Sequence, residues 1–214
     1  MKNFKLLLWF LFYCGIVNVV HAQEFYGGVL GGINGTQVEG DASSGYLKLG
    51  LSGGVWFQRE ISDDFFWGAE MKFIQKGSRK IPSYKHQNYD IIILRYDYIE
   101  LPVIFGYTYK DYRFFAGLSY NQLVHKRKLY NGEDMPVDIT NWELGILAGI
   151  KVRLQKLINR TWAENFTLDT RLQYSAFSID KNHDFFMGNK GYLRDSNYNN
   201  VISTTLFYRI EWNR

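Results

Sequence analysis

Trp142-Glu143-Leu144-Gly145-Ile146-Leu147-Ala148-Gly149-Ile150-Lys151-Val152 is the stretch on which the fold turns. Read in steps of two, Trp142, Leu144, Ile146, Ala148, Ile150 and Val152 share one face. Glu143, Gly145, Leu147, Gly149 and Lys151 share the other. A helix would scatter these residues around its circumference, whereas a strand sorts them into an apolar and a polar side. Phe166–Ala176 repeats the pattern, with Asp169 and Arg171 on the polar side. So does 202–212, which sets Ile202, Leu206, Ile210 and Trp212 against Arg209 and Glu211.

Five further segments alternate less cleanly: Phe25–Ile33, Tyr46–Arg59, Phe65–Lys76, Ile99–Tyr109 and Tyr112–Leu123. The fourth extends back to Ile91 if Arg95 and Asp97 stand above the apolar band. Pro102 interrupts it, and a proline removes one ladder donor, so a bulge or bend is expected there. The connections 61–64, 110–111 and 155–164 are short to moderate. Those at 34–45, 77–90, 124–139 and 179–199 are long and polar. Long links follow odd strands and short links follow even ones. That asymmetry predicts an all-β chain: an eight-stranded antiparallel transmembrane β-barrel, an up-and-down meander with short periplasmic turns and long extracellular loops.

A soluble barrel with an apolar interior would also alternate, and three features separate the two. The apolar bands 99–109, 142–152, 166–176 and 202–212 each span eleven residues, close to the ~9–11 a tilted strand needs to cross hydrocarbon. Aromatic residues of the apolar face collect beside the short turns: Phe25, Phe57, Phe65, Trp67, Tyr107, Tyr109, Phe114, Phe166 and Trp212. They predict a periplasmic girdle at the membrane interface, with Trp142, Tyr120, Tyr174 and Phe73 as a thinner outer one. Ordinary core packing would explain their burial but not their common level. Finally, the polar face is rich in glycine (Gly28, Gly54, Gly106, Gly149 among others), which makes room inside a narrow barrel for Trp56, Phe66, Leu147, Phe177 and Phe207.

The same register turns charges of both signs inward: Glu70, Lys72, Glu100, Arg113, Glu143, Lys151, Asp169, Arg171, Arg209 and Glu211, together with Lys48 and Arg153. Unpaired charge in that space is costly, so a salt-bridge network filling the lumen is expected rather than an open pore.

Compartment and partners follow from the ends and the composition. Lys2 and Lys5 precede an apolar run from Leu6 to Val20, then Val20-His21-Ala22. This predicts a signal peptide at 1–22, cleaved before Gln23, and a single outer-membrane domain at 23–214. The one cysteine, Cys14, follows Leu11-Phe12-Tyr13, too bulky for a lipoprotein site. Subtracting Lys2 and Lys5 takes the formal charge from +4 to +2, which argues against nucleic-acid binding. The expected partners are outer-membrane lipid and lipopolysaccharide, the insertion machinery and secretion-system components.

Catalytic and metal signals are sparse, and no cofactor is expected. His86, His125 and His183 fall in external loops near Asp90, Asp184, Ser83 and Ser196, without diagnostic spacing. Lys80, Lys85, Lys126, Arg127, Lys128, Lys190 and Arg194, with loop tyrosines, form a basic rim suited to lipid phosphates. The alternatives to a structural barrel are therefore a rim-active hydrolase or acyltransferase and a small adhesin.

Gly27-Gly28-Val29-Leu30-Gly31-Gly32 and Tyr98-Ile99-Glu100-Leu101-Pro102-Val103, after a signal ending Ala22-Gln23, resemble the PorT-like family of Bacteroidetes outer-membrane β-barrels. The likeness covers nearly the whole mature chain. It implies an eight-stranded membrane barrel in which Pro102 is a family feature, and it points to a role beside protein secretion. No catalytic residue is carried over.

Overall fold

The computed structural model describes residues 25–40, 45–82, 90–180 and 197–210. Their sheet is continuous and antiparallel: β1 Phe25–Glu39, β2 Lys48–Glu60, β3 Phe65–Lys80, β4 Ile92–Tyr109, β5 Tyr112–Tyr130, β6 Glu133–Met135, β7 Trp142–Arg153, β8 Phe166–Ser175 and β9 Tyr198–Arg209. Each strand pairs with the next along the chain, except that β5 pairs with both β7 and the short β6. The first and last strands then join, from Gly28↔Arg209 to Glu39↔Tyr198. Eight strands close the barrel, and β6 is a small flap outside it.

Closure leaves two environments, and the side chains divide as the alternation predicts. On the outer wall Leu49 is 78% exposed and Leu118 65%; inside, Glu100 is 0% and Arg171 1% exposed. Such a surface is stable only against hydrocarbon, since water would have to solvate a continuous apolar band. Among the described residues no helix is long and apolar enough to cross a membrane. The strands do the crossing, with their backbone groups paired around the ring.

The glycines make the narrow interior possible. A Cβ on Gly106 would stand 2.2 Å from the Phe66 ring and 2.6 Å from the Phe114 carbonyl oxygen. One on Gly149 would meet both Phe115 and Arg171 at 2.7 Å. Each glycine therefore sits beside a large inward side chain that uses its missing volume.

Several expectations need correction. Pro102 makes no bulge: it stays in register opposite Ser119. On its other side the β3–β4 ladder passes from Ala69↔Val103 to Lys72↔Glu100, so two rungs are missing without a slip. The register shift lies higher, between Asp97↔His125 and Tyr98↔Leu123, where β5 carries Val124 as an extra residue. It inverts the facing of β5 above that point and places Arg127 outside.

The strands also outrun their apolar bands. Asn34, Thr36 and Val38, expected in a loop, are buried inward residues of β1, and β9 starts at Tyr198 rather than Ile202. The expected loop 124–139 is largely strand. Asn131 and Gly132, with φ of 50° and 91°, form a two-residue turn between Tyr130 and Glu133, as an Asn-Gly pair between strands does. Phe177, expected in the lumen, lies past the end of β8 and is 37% exposed.

Gly106→Val should lower stability by about 1–3 kcal/mol through overpacking. Gly31→Val, on the lipid face with nothing within 4 Å of its Cβ position, should change little. Urea unfolding in phospholipid vesicles, followed by tryptophan fluorescence, measures both.

Candidate functional site

Two-residue spacing on facing strands assembles the interior. Glu70 and Lys72 on β3 point inward together, as do Asp169 and Arg171 on β8. Arg171 donates to both oxygens of Glu70 (Nη1–Oε2 2.9 Å, Nη2–Oε1 2.8 Å) and to both of Asp169 (Nε–Oδ1 2.8 Å, Nη2–Oδ2 2.6 Å). A planar guanidinium can serve two carboxylates in this way; an ammonium cannot.

From Glu70 the chain of contacts alternates in sign. Lys72 Nζ lies 3.6 Å from Glu70 and 3.2 Å from Glu100, and Lys76 Nζ lies 3.6 Å from Glu100 and 3.1 Å from Glu143. Lys151 stands 3.8 Å from both Glu70 and Asp169. Neutral donors take further acceptor positions. Gln173 Nε2 donates to Glu100 at 3.1 Å, Ser175 Oγ to Glu143 at 3.0 Å, and Asn199 Nδ2 to Glu143 at 2.7 Å. Four carboxylates (Glu70, Glu100, Glu143, Asp169) thus face four cations (Lys72, Lys76, Lys151, Arg171), all buried. The layer is neutral.

Apolar packing flanks it. Toward the long loops lie Val38, Ile74, Leu94, Tyr96, Tyr98 and Val201, capped by Ile139 and Ile179 from the connections after β6 and β8. The Ile139↔Asp180 bridge ties those connections together. Toward the short turns Phe66, Ile104, Phe115 and Leu147 form the second cluster.

The structure does not gather every residue expected in the network. Arg113 pairs with Glu60 rather than with the central acids. Arg209 donates to Asn165 Oδ1 at 3.1 Å. Glu211 lies outside the described residues. Lys76 and Glu60 were missed: Lys76 sits at the end of its apolar band, and Glu60 at the last position of β2, where alternation reads as turn.

On the outer wall Phe57, Phe65, Tyr107, Tyr109 and Phe114 are exposed, and Trp67 and Phe166 are partly so. They meet in pairs, Phe57–Trp67 at 5.2 Å and Phe65–Tyr107 at 5.2 Å between centroids. Trp162–Phe166–Tyr208 adds an arc at 6.0 and 5.1 Å. Trp162 and Tyr208 were not singled out from sequence, and Trp212 lies outside the described residues.

The loop chemistry is only partly visible. His125 is an exposed residue of β5, and Asp90 accepts hydrogen bonds from Tyr130 and Asn131. His86, His183, Ser83, Asp184 and Ser196, like residues 1–22, fall outside the described residues. Among the described residues no group of three or more His, Cys, Asp or Glu could hold a metal. At the rim Arg127 forms two hydrogen bonds to Asp134, which hold that carboxyl below its ordinary pKa.

A closed barrel with an apolar outside and a charged inside is an integral outer-membrane β-barrel. The family model described as "Outer membrane protein beta-barrel domain" matches residues 21–181, and the chain belongs to that family. Among solved structures it is similar to Ail of Yersinia pestis, the attachment invasion locus protein, in complex with the heparin analogue sucrose octasulfate. That match has 14% identity and a TM-score of 0.47, covering 87% of this chain and 99% of that one. Neisserial surface protein A matches at 12% identity and TM-score 0.48, covering 87% and 97%. AlkL, solved in lipid bilayers, matches at 13% and 0.34, covering 88% and 92%. No curated protein matches.

Arg171→Met should cost about 3–5 kcal/mol, because it leaves four buried carboxylates facing three cations and removes all four guanidinium hydrogen bonds. Adding Asp169→Asn, which leaves Glu70, Glu100 and Glu143 facing Lys72, Lys76 and Lys151, should recover most of the loss. Guanidinium unfolding of both variants in lipid vesicles checks the pair.

Proposed function

We propose that the chain is a sealed, non-enzymatic envelope barrel, serving envelope structure or acting as an accessory to protein secretion or surface assembly. One observation carries the sealed lumen: an alternating, neutral chain of buried ion pairs from Asp169 to Glu143, with apolar packing on either side. An ion entering would have to separate pairs that already satisfy one another, at a cost of several kcal/mol each. Eight strands leave no second route past them. The accessory role rests on the likeness to PorT-like barrels, and export by a cleaved signal peptide and insertion by the outer-membrane machinery accompany it.

The outer leaflet is the natural partner of the long-loop end. There the strands carry exposed basic side chains on the outer wall: Arg79 on β3, Arg95 on β4, and His125 and Arg127 on β5. Arg95 and Arg127 are direct cross-strand partners. Two like charges opposed in this way repel, and each is held by its own acid, Asp97 and Asp134. Phosphates of lipopolysaccharide would be the matching counter-charge at that height.

In planar bilayers the folded protein should give no large stable conductance; sustained channels in the native chain would sink the sealed reading. Vesicles containing lipopolysaccharide should stabilise the native chain over phospholipid vesicles. The triple substitution Arg79→Gln, Arg95→Gln, Arg127→Gln should remove most of that gain, read as the difference in unfolding midpoint.

A further inference from the structure

Among the described residues, charge balance holds in the middle of the lumen and fails at its periplasmic mouth. Below the Arg171 layer lies an open cavity of about 80 Å³, lined by side chains from β1, β2, β5, β7 and β9 and by Glu164, Asn165 and Thr167 at the entry to β8. Its cations are Arg113, Lys151, Arg153 and Arg209, and its carboxylates Glu60 and Glu164. Lys151 belongs equally to the layer above, which leaves three cations against two carboxylates. Arg113 is occupied by Glu60. Among the described residues Arg209 has a neutral side-chain partner, the Asn165 amide oxygen. Arg153, the last residue of β7, is exposed and has no ion-pair partner among the described residues. Two guanidinium forks therefore border the cavity with most of their donors unspent.

Aromatic rings share the rest of the lining with Gln58, Asn165 and Thr167. Trp56 and Phe207 stand edge to face, 5.5 Å between centroids and at 62°. The Trp56 Nε1 donates to the carbonyls of Val29 and Tyr208 at 3.2 and 3.3 Å, which fixes the ring in place. Tyr26 adds a third ring, with the Arg209 guanidinium 5.4 Å from its centroid. Guanidinium donors beside an indole held by its own hydrogen bonds give this small, solvent-open cavity the polar and aromatic parts of a binding site. The low-dielectric wall around it focuses positive potential toward the opening.

We infer that this mouth binds a small periplasmic anion carried on a ring, a sugar acid or a sugar phosphate. Arg153 and Arg209 would hold the charged group, and the ring would lie against Trp56 and Tyr26, the two partly exposed rings of the lining. The chemistry follows from the two halves of the lining: a guanidinium fork matches a carboxylate or phosphate bidentately, and aromatic surface matches the apolar face of a sugar. This site stands apart from the sealed lumen above it and from the basic rim on the opposite side of the membrane.

Calorimetric titration of the full chain, folded in nanodiscs, tests this with four probes: N-acetylmuramic acid, glucose 6-phosphate, inorganic phosphate and neutral N-acetylglucosamine. Saturable binding of the two anionic sugars, at least ten-fold tighter than N-acetylglucosamine, supports the site. The double substitution Arg153→Gln, Arg209→Gln should weaken that binding ten-fold or more while the unfolding midpoint stays unchanged. Arg153→Gln alone keeps the test open should the double variant not fold. Anionic sugars binding no better than the neutral one, or equally well to native and substituted chains, overturn the proposal. Inorganic phosphate binding as tightly as glucose 6-phosphate overturns the sugar assignment.

Discussion

Hydrocarbon offers no partner to a peptide group, and this one constraint organises the molecule. Each backbone donor and acceptor that enters the membrane has to be met by another strand. A sheet meets that demand only when its first strand finds its last, as β1 finds β9 through the pairs from Gly28↔Arg209 to Glu39↔Tyr198. Closure then turns the usual protein inside out. The apolar half of each strand faces acyl chains, and the polar half is confined with its own kind.

Confinement sets the character of the interior. An eight-stranded barrel encloses little more than its own side chains. Gly106 and Gly149 surrender volume to Phe66, Phe115 and Arg171. Charges in that space are buried away from bulk solvent, and every carboxylate of the central layer has a cation close by, with Arg171 serving two. The arrangement contributes little net energy relative to a greasy core. Its consequence is a lumen filled with groups that cannot separate cheaply. Among the described residues, Arg153 and Arg209 at the mouth below pair with no carboxylate, and solvent reaches them there.

Much of this was legible in the chain, because a period of two is a direct image of a two-sided wall. Trp142–Val152 showed its facing without ambiguity, and Glu70, Lys72, Glu100, Asp169 and Arg171 were assigned inward on that basis alone. The losses came where the pattern ended. Above the apolar band the outer face turns polar, so the strand continuations through Glu39, Lys80 and Tyr130 read as loop. The Asn131-Gly132 pair was the available sign of a hairpin there, and it was passed over amid the surrounding charges. Pro102 misled differently: a missing donor removes rungs, but it shifts the register only where a residue is also inserted, and that residue was Val124.

By itself the sequence determined the eight barrel strands, the facing of their membrane-spanning stretches and the sign of most inward charges, since all three are local properties of alternation and turn length. It could not determine which charges would meet. Arg171 and Glu70 are 101 residues apart, and Lys76 meets Glu143 across the lumen. Their contact depends on stagger around a closed ring, and stagger is set by the summed registers of every pair of strands. The tertiary structure alone decided that Arg113 and Arg209 leave the central network for the mouth, where a cavity opens beside them.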